Sequence, residues 1–371
     1  MRSSSDDTLL VYGAYGYTGE LVSRAAIERG LDPILAGRDG DRLRALGREL
    51  RCSVREFGLS IPAVTADSVR DVDAVLNCAG PFAATAEPLA DACIETGTDY
   101  LDVTGEWQVF EALAALDADA TAAGVTLLPG VGFDIVPTDC LAAELATRLP
   151  DATELALGFD ADGAVSRGTA RTAIRGLGDG TVVRENGELR RLPTGSRRRR
   201  IDFGRGGREA LAVPWGDIVT ATHTTGIGTV TVYAALHPRL LSLLRLARPL
   251  GPLVGSRPVR WLLDRLVASR VEGPTADERA ENEVYVWGEA RASGGRDVDD
   301  RSDDTRPAGD DGSVVTGRLR TPDPYDLTAG ASLSAAERVL AGDAPSGFTT
   351  PAGAFGPSFV DVVDGVEWLD R

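Results

Sequence analysis

The sequence predicts an α/β fold in which a doubly wound parallel sheet is followed by an inserted α+β domain. Two observations carry this. Through roughly the first 140 residues strand-like and helix-like segments alternate, which makes successive strands parallel and covers both sheet faces with helices. After about residue 150 the pattern changes to recurring apolar alternation, the signature of half-buried strands in a mixed or antiparallel sheet. A length of 371 residues with 43% hydrophobic content suits two domains, each with a sizeable core.

In chain order, strands are expected at Thr8–Tyr12, Asp32–Ala36, Ser53–Phe57, Ala74–Cys78, Tyr100–Val103 and Thr126–Leu128. Amphipathic helices fit between them at Tyr17–Arg29, Asp39–Leu50, Thr85–Thr96 and Trp107–Ala123. Beyond this region, apolar alternation marks strands at 154–159, 217–223, 228–236, 283–289 and 313–319. Residues 168–180 read as a helix across that sheet, and 237–267 as two helices broken near Pro249–Pro258. The stretch 297–312 is an acidic, turn-rich loop, and Tyr325–Leu340 a last helix that returns to the first domain. The domains are therefore placed at 1–149, 150–320 and, for the returning C-terminal segment, 321–371.

The first strand runs straight into "GAYGYTG", which opens a helix. Glycines at such a turn often serve only the turn. At this position they also bring backbone N–H groups close to a pyrophosphate at a helix N-terminus. Gly13 makes the tight turn, Gly16 removes the Cβ that would block a phosphate, and Gly19 lets helix and strand approach; Tyr15, Tyr17 and Thr18 lie between them. The second strand ends "LAGRD". An acidic residue there would hold the ribose hydroxyls of NAD, whereas Gly37 and Arg38 come first. A guanidinium matches a 2′-phosphate in charge and fork geometry, so NADP is the expected cofactor. The competing reading has Asp39 on the ribose and Arg38 in solvent.

Composition excludes several classes. The formal net charge is −17, and all 39 basic residues are arginine. Acidity argues against nucleic-acid binding, which needs positive surface, and absent lysine rules out Schiff-base chemistry. Four cysteines without a C-x-x-C pair, and only two histidines, make a zinc site or a disulfide framework improbable. The start "MRSSSDD" lacks the regions of a signal peptide, and no apolar stretch is long enough to span a bilayer. The expectation is a cytoplasmic protein whose acidity reflects adaptation to salt or codon bias.

The segments "GAYGYTG", "AGR", "NCAGPF", "YLDVTGE" and "GFDIVPTD", in this order, resemble the saccharopine dehydrogenase-like superfamily. "SRGTARTA" (166–173), "PWGDIVTATHTTGIGTVTVY" (214–233) and "GFTTPAGAFG" (347–356) are similar to its trans-acting enoyl reductase branch. The resemblance implies a Rossmann-type domain for NADP with an inserted substrate domain. It also implies nicotinamide-side backbone contacts at Asn77, Cys78, Gly80 and Pro81, where Phe82 either flanks the ring or packs in the core.

Hydride transfer asks the protein for position and a proton. Asp102, Thr104 and Glu106 form one candidate group, either binding ribose or capping the next helix, with Thr104 a cofactor-binding candidate and capping the stronger reading. In the following loop Thr138 or Asp139 is expected to cap a helix, which leaves Asp134 as a catalytic candidate. Ser166, with Arg167 and Thr169 at an expected helix N-terminus, suits a substrate carboxylate or phosphate. His223, expected in a strand region with Trp215 and Asp217, is able to protonate a product near neutral pH, although a lone histidine is more often structural.

Residues 239–270 carry seven Arg and one Asp among Leu, Val and Trp261. Such basic apolar helices lie on an anionic bilayer, on a partner or homodimer mate, or pack on their own sheet with snorkelling stems. The leading expectation is an NADPH-dependent oxidoreductase acting on a C=C or C=N group of a hydrophobic, acyl-type or lipid-like small molecule. A non-catalytic NADP(H) sensor or docking protein is the alternative.

Overall fold

The computed structural model describes residues 8–161, 180–193, 195–235, 274–292 and 313–371. Their first stretch runs β1 (Leu9–Tyr12), α1 (Tyr17–Glu28), β2 (Ile34–Gly37), α2 (Gly40–Leu50), β3 (Val54–Glu56) and α3 (Pro62–Val69). It continues with β4 (Ala74–Asn77), α4 (Ala86–Thr96), β5 (Asp99–Asp102), α5 (Trp107–Ala114), α6 (Asp117–Ala123), β6 (Thr126–Leu128) and α7 (Val136–Arg148). Then come β7 (Ala152–Ala161), β8 (Thr181–Glu185), β9 (Glu188–Leu192), β10 (Arg198–Asp202), β11 (Gly207–Ala212), α8 (Asp217–Thr225) and β12 (Thr229–Ala235). The chain closes with α9 (Ala276–Glu281), β13 (Val284–Ala292), β14 (Val314–Thr321), α10 (Pro324–Leu340), β15 (Gly347–Phe348), α11 (Pro351–Phe355) and β16 (Glu367–Asp370).

Two compact units result. One comprises Met1–Val136, Gly273–Glu281 and Pro322–Asp364; the other comprises Pro137–Glu272, Asn282–Thr321 and Gly365–Arg371.

In the first unit seven strands pair in the order β15-β6-β5-β4-β1-β2-β3, every neighbour parallel. This is the doubly wound sheet that the β-α alternation predicts. Its central strands are continuous apolar runs because helices cover both faces: Leu10, Val11, Val75, Leu76 and Leu101 have no exposed surface. Asp39 caps α2 by accepting the Arg42 N–H at 3.1 Å, and Pro62 opens α3 at a position where a missing N–H costs nothing. The expected helix 107–123 is two helices with a tightened turn between them, where the Leu116 N–H reaches back three residues to Leu113. The motif "GFTTPAGAFG" supplies the outermost strand, β15, and then α11, capped by Thr350 Oγ1 on the Gly353 N–H.

Among its described residues the second unit forms a nine-stranded mixed sheet, β10-β11-β12-β7-β13-β14-β16, with β8 pairing β12 and β9 alongside. Leu141 and Leu145 of α7 pack on one face, against Leu155, Leu157, Val230, Val286 and Leu319. Gly288 and Gly317 allow that approach, since a Cβ on either would stand 2.7–2.8 Å from Leu145 or Leu141. The other face carries Ile201, Phe203, Tyr233 and Trp287.

Three sequence expectations are corrected. Residues 217–225 form a helix, closed by Gly226 in the left-handed region at φ +76°, so His223 lies on its last turn and not in a strand. Thr138 and Asp139 lie inside α7, not at its cap. Thr104 does not cap α5, whose N-cap is Glu106; its hydroxyl accepts the Glu106 N–H at 3.1 Å. The expected helix at 168–180 up to residue 179, the helix pair at 237–267, the loop at 297–312, the basic membrane-contact segment and Ser166, Arg167 and Thr169 lie outside the described residues.

Candidate cofactor and active site

The parallel topology sends the loops after β1, β2, β4, β5 and β6 to one edge of the first sheet, the carboxyl edge at which such sheets bind ligands. The glycine loop fits a diphosphate. Gly13 turns at φ +82°, and a Cβ there would meet Ala79 backbone at 2.9 Å. A Cβ on Gly19 would stand 2.3 Å from the Gly13 carbonyl oxygen. Gly16 is the N-cap of α1 and provides no side-chain cap, so the helix opens with first-turn N–H groups aimed at the loop. Thr18 lies on that first turn, while the Tyr17 phenol is engaged elsewhere, donating to the Pro274 carbonyl at 2.5 Å and stacking edge-on with Tyr325. After β2, Arg38 is exposed, and Tyr15 lies across Gly37.

A buried chain of hydrogen bonds ties the next three loops together. The fully buried Asn77 amide donates to Thr85 Oγ1 and to the Tyr100 hydroxyl, each at 3.2 Å, and accepts the Ala79 N–H at 2.9 Å. Tyr100 in turn donates to Asp102 Oδ2 at 2.8 Å. Asp102 Oδ1 accepts the Thr104 and Gly130 N–H groups at 2.9 and 3.0 Å. Burial pushes the Asp102 carboxyl up to about 6, the two backbone donors and Tyr100 holding it below what desolvation alone would give. Asn77, Asp102 and Thr104 thus fix the loops from beneath.

Cys78 is buried and its thiol is pushed up to about 12 by desolvation, then by Asp102, so it stays neutral. The Gly80–Pro81 peptide is cis, and Phe82 packs against the first unit's core. Glu106 grips this loop, its two carboxylate oxygens accepting the Phe82 N–H at 3.1 Å and the Ala83 N–H at 3.2 Å. Beside it lies Asp134, whose Oδ2 stands 2.6 Å from where a Cβ on Gly105 would be. Burial, and then the Glu106 charge, lift the Asp134 carboxyl to about 7. Asp134 and Glu106 come from different loops, and nothing in their spacing of 28 positions announces the pair.

In the second unit, His223 is exposed, and the neighbouring Thr224 hydroxyl donates to Asp139 at 2.5 Å. Trp215 stacks on Phe159. The sequence reading missed Tyr100 as the bridge between Asn77 and Asp102. Its position two residues before Asp102, on the same strand face, was the available signal. Among the described residues no group of three or more His, Cys, Asp or Glu is placed to hold a metal, and no helix is long and apolar enough to cross a membrane.

Residues 9–128 match the family model of the saccharopine dehydrogenase NADP binding domain. The human saccharopine dehydrogenase-like oxidoreductase is 30% identical over 206 residues, 48% of this chain and 47% of that protein. A trans-acting enoyl reductase of Mycobacterium leprae is 32% identical over 149 residues, 38% of this chain and 36% of that protein. The matched region thus spans half or less of these relatives' own length. Saccharopine dehydrogenase (L-Glu forming) from Saccharomyces cerevisiae superposes with a TM-score of 0.63 at 10% identity, covering 98% of this chain and 100% of that one. Residues 9–128 are therefore similar to the saccharopine dehydrogenase NADP binding domain, on a chain whose fold is that of the yeast enzyme.

Proposed function

We propose that the chain is an NADP(H)-dependent oxidoreductase that saturates a polarised C=C or C=N bond of a hydrophobic or acyl-type small molecule, with Asp134 as proton donor. The observation that carries the proposal is the placement of Asp134, held against Gly105 beside Glu106 on the sheet edge that also bears the glycine loop, where burial and then the Glu106 charge push its carboxyl up to about 7. A carboxyl that keeps its proton close to neutral pH matches the driving force a general acid needs.

When bound, the cofactor supplies the hydride. The chain's own residues do the rest. Gly13, Gly16 and Gly19 would admit the diphosphate, and Arg38 would meet the 2′-phosphate. Asn77, Tyr100 and Asp102 hold three loops in register, and Glu106 fixes the Pro81–Ala83 backbone. The Asp134 O–H would give its proton to one atom of the double bond and be left as carboxylate, the other atom being the one open to the hydride that a bound cofactor would supply. Support for C=C comes from the similarity to trans-acting enoyl reductases, and for C=N from the similarity to saccharopine dehydrogenase-like oxidoreductases.

The test is NADPH oxidation followed against enoyl thioesters and cyclic or open imines, for the full chain and for Asp134→Asn. Turnover of one class by the wild type, with a loss of about 100-fold in the variant and unchanged NADPH affinity, is the expected result. Undiminished turnover in Asp134→Asn removes Asp134 from the chemistry, and saturable NADPH binding with no oxidation by either class favours a sensor.

A further inference from the structure

We propose that Arg42, held at the β2 exit by its stack on Tyr15, is the second arm, with Arg38, of a two-arginine clamp for the cofactor's 2′-phosphate; this rests on the reading of the β2 exit as the NADP-selective end of the crevice.

The arrangement begins with Gly37, the last residue of β2. A Cβ there would stand 2.7 Å from Tyr15 Cε1, so glycine is what lets the Tyr15 ring lie directly across the strand end. The Arg42 guanidinium covers that ring, with Cζ 4.7 Å from its centroid, and Nη2 donates to the Tyr15 carbonyl at 2.8 Å. Stack and hydrogen bond fix the plane of a side chain that would otherwise sample many rotamers. Of the five guanidinium N–H donors, one is engaged in this bond.

The neighbouring charges leave both arginines available to an anion. In this unit Arg24, Arg29, Arg44, Arg55, Arg70 and Arg279 each hold a carboxylate. Among the described residues of this unit Arg38, Arg42, Arg48, Arg51 and Arg338 hold none, and of these Arg38 directly follows β2 while Arg42 stacks on the Tyr15 ring that lies across its last residue. Asp41 and Glu56, the nearest acidic residues on α2 and β3, are drawn to Arg44 at 2.7 and 3.0 Å. Asp39 accepts the Arg42 backbone N–H and caps α2, which turns the competing ribose-binding reading of Asp39 toward a structural role. A phosphate monoester near neutral pH carries close to two charges, so one guanidinium leaves it half compensated and two match it.

The experiment is calorimetric titration of the full chain at fixed ionic strength with NADPH, NADH, 2′,5′-ADP and 5′-AMP, circular dichroism confirming the fold of each variant. For Arg42→Ala the expected result is about tenfold weaker binding of NADPH and 2′,5′-ADP, with NADH and 5′-AMP unchanged. Arg42→Lys, which keeps the charge and loses the planar stack, recovers part of that loss. Unchanged NADPH affinity in Arg42→Ala overturns the proposal, as does equal weakening of NADPH and NADH, which would make Arg42 only a support for Tyr15. Loss of NADPH selectivity in Arg38→Ala alone leaves the cofactor reading standing and the clamp single-armed. A wild-type chain that binds NADPH and NADH alike overturns both.

Discussion

Asp134 and Gly19 show how single positions decide the chemistry at the sheet edge. In an unfolded chain the Asp134 carboxyl titrates near 3.8, whereas in the folded protein it titrates near 7. Between those values the folded state holds a proton that the unfolded state has released, so this group's contribution to stability falls as pH rises from about 4 through 7. Asp134→Asn removes that slope. Its urea midpoint is expected to match wild type near pH 4 and to exceed it above pH 7, the slope that persists to about pH 6 coming from Asp102. An unchanged slope in the variant would mean that Asp134 is not the titrating group. Gly19 makes a different demand, because a methyl group there points at the Gly13 carbonyl oxygen from 2.3 Å, and backbone cannot yield as a side chain does. Gly19→Ala is expected to weaken NADPH at least tenfold by pushing α1 away from the loop, as titration would show. The glycine loop was legible in the sequence because spacing alone encodes it. The Asp134–Glu106 pair was legible only as two separate carboxylates, since their meeting depends on how two loops fold over one sheet edge.

Legibility at the level of elements follows the same divide between local and long-range causes. β1, α2, α4 and α10 appear where apolar periodicity and caps place them, because each signal lies within the element itself. The stretch "DIVTATHTT" reads as a strand, being rich in β-branched residues, yet it forms α8: Asp217 through Ala221 are buried in succession, and Gly226 supplies the left-handed C-terminal stop. Gly226 was the signal that outweighs propensity there. The "SRRRRIDF" run, with four arginines in succession, forms β10. Arg199 alternates with Ile201 toward one sheet face, where its guanidinium lies 4.6 Å over Trp287 and holds Glu289 at 2.7 Å. Glu289 also takes Arg291 at 2.6 Å, and both glutamate and arginine are more than nine-tenths buried. Removing the shared carboxylate leaves two neighbouring cations with little water to solvate them. Glu289→Ala is therefore expected to cost about 3 kcal/mol of unfolding free energy, read from denaturant midpoints. Replacing the exposed Asp41, which pairs with Arg44 from 96% exposure, is expected to leave the denaturant midpoint unchanged.

Across the whole molecule the dominant electrostatic fact is the net charge of −17, which no single pair reveals. Self-repulsion of that size opposes compactness. Added salt screens it, and also screens exposed pairs such as Arg44–Asp41, whose contribution is small to begin with. The repulsive sum is the larger quantity, so the unfolding temperature is expected to rise with KCl. Because the Debye length shrinks from about 10 Å at 0.1 M to about 3 Å at 1 M, most of the rise belongs in that interval. A rise that continued linearly to several molar would point instead to strengthened apolar burial. The cofactor site responds in the opposite sense. Arg38 attracts a phosphate across solvent, so NADPH affinity falls over the same interval in which stability climbs, while NADH affinity, lacking that contact, falls less. Measuring unfolding temperature and both affinities along one KCl series tests the two claims together. Parallel salt dependence of NADPH and NADH would place the extra phosphate away from any guanidinium, and a falling unfolding temperature would show that the arginine–carboxylate pairs outweigh the net repulsion.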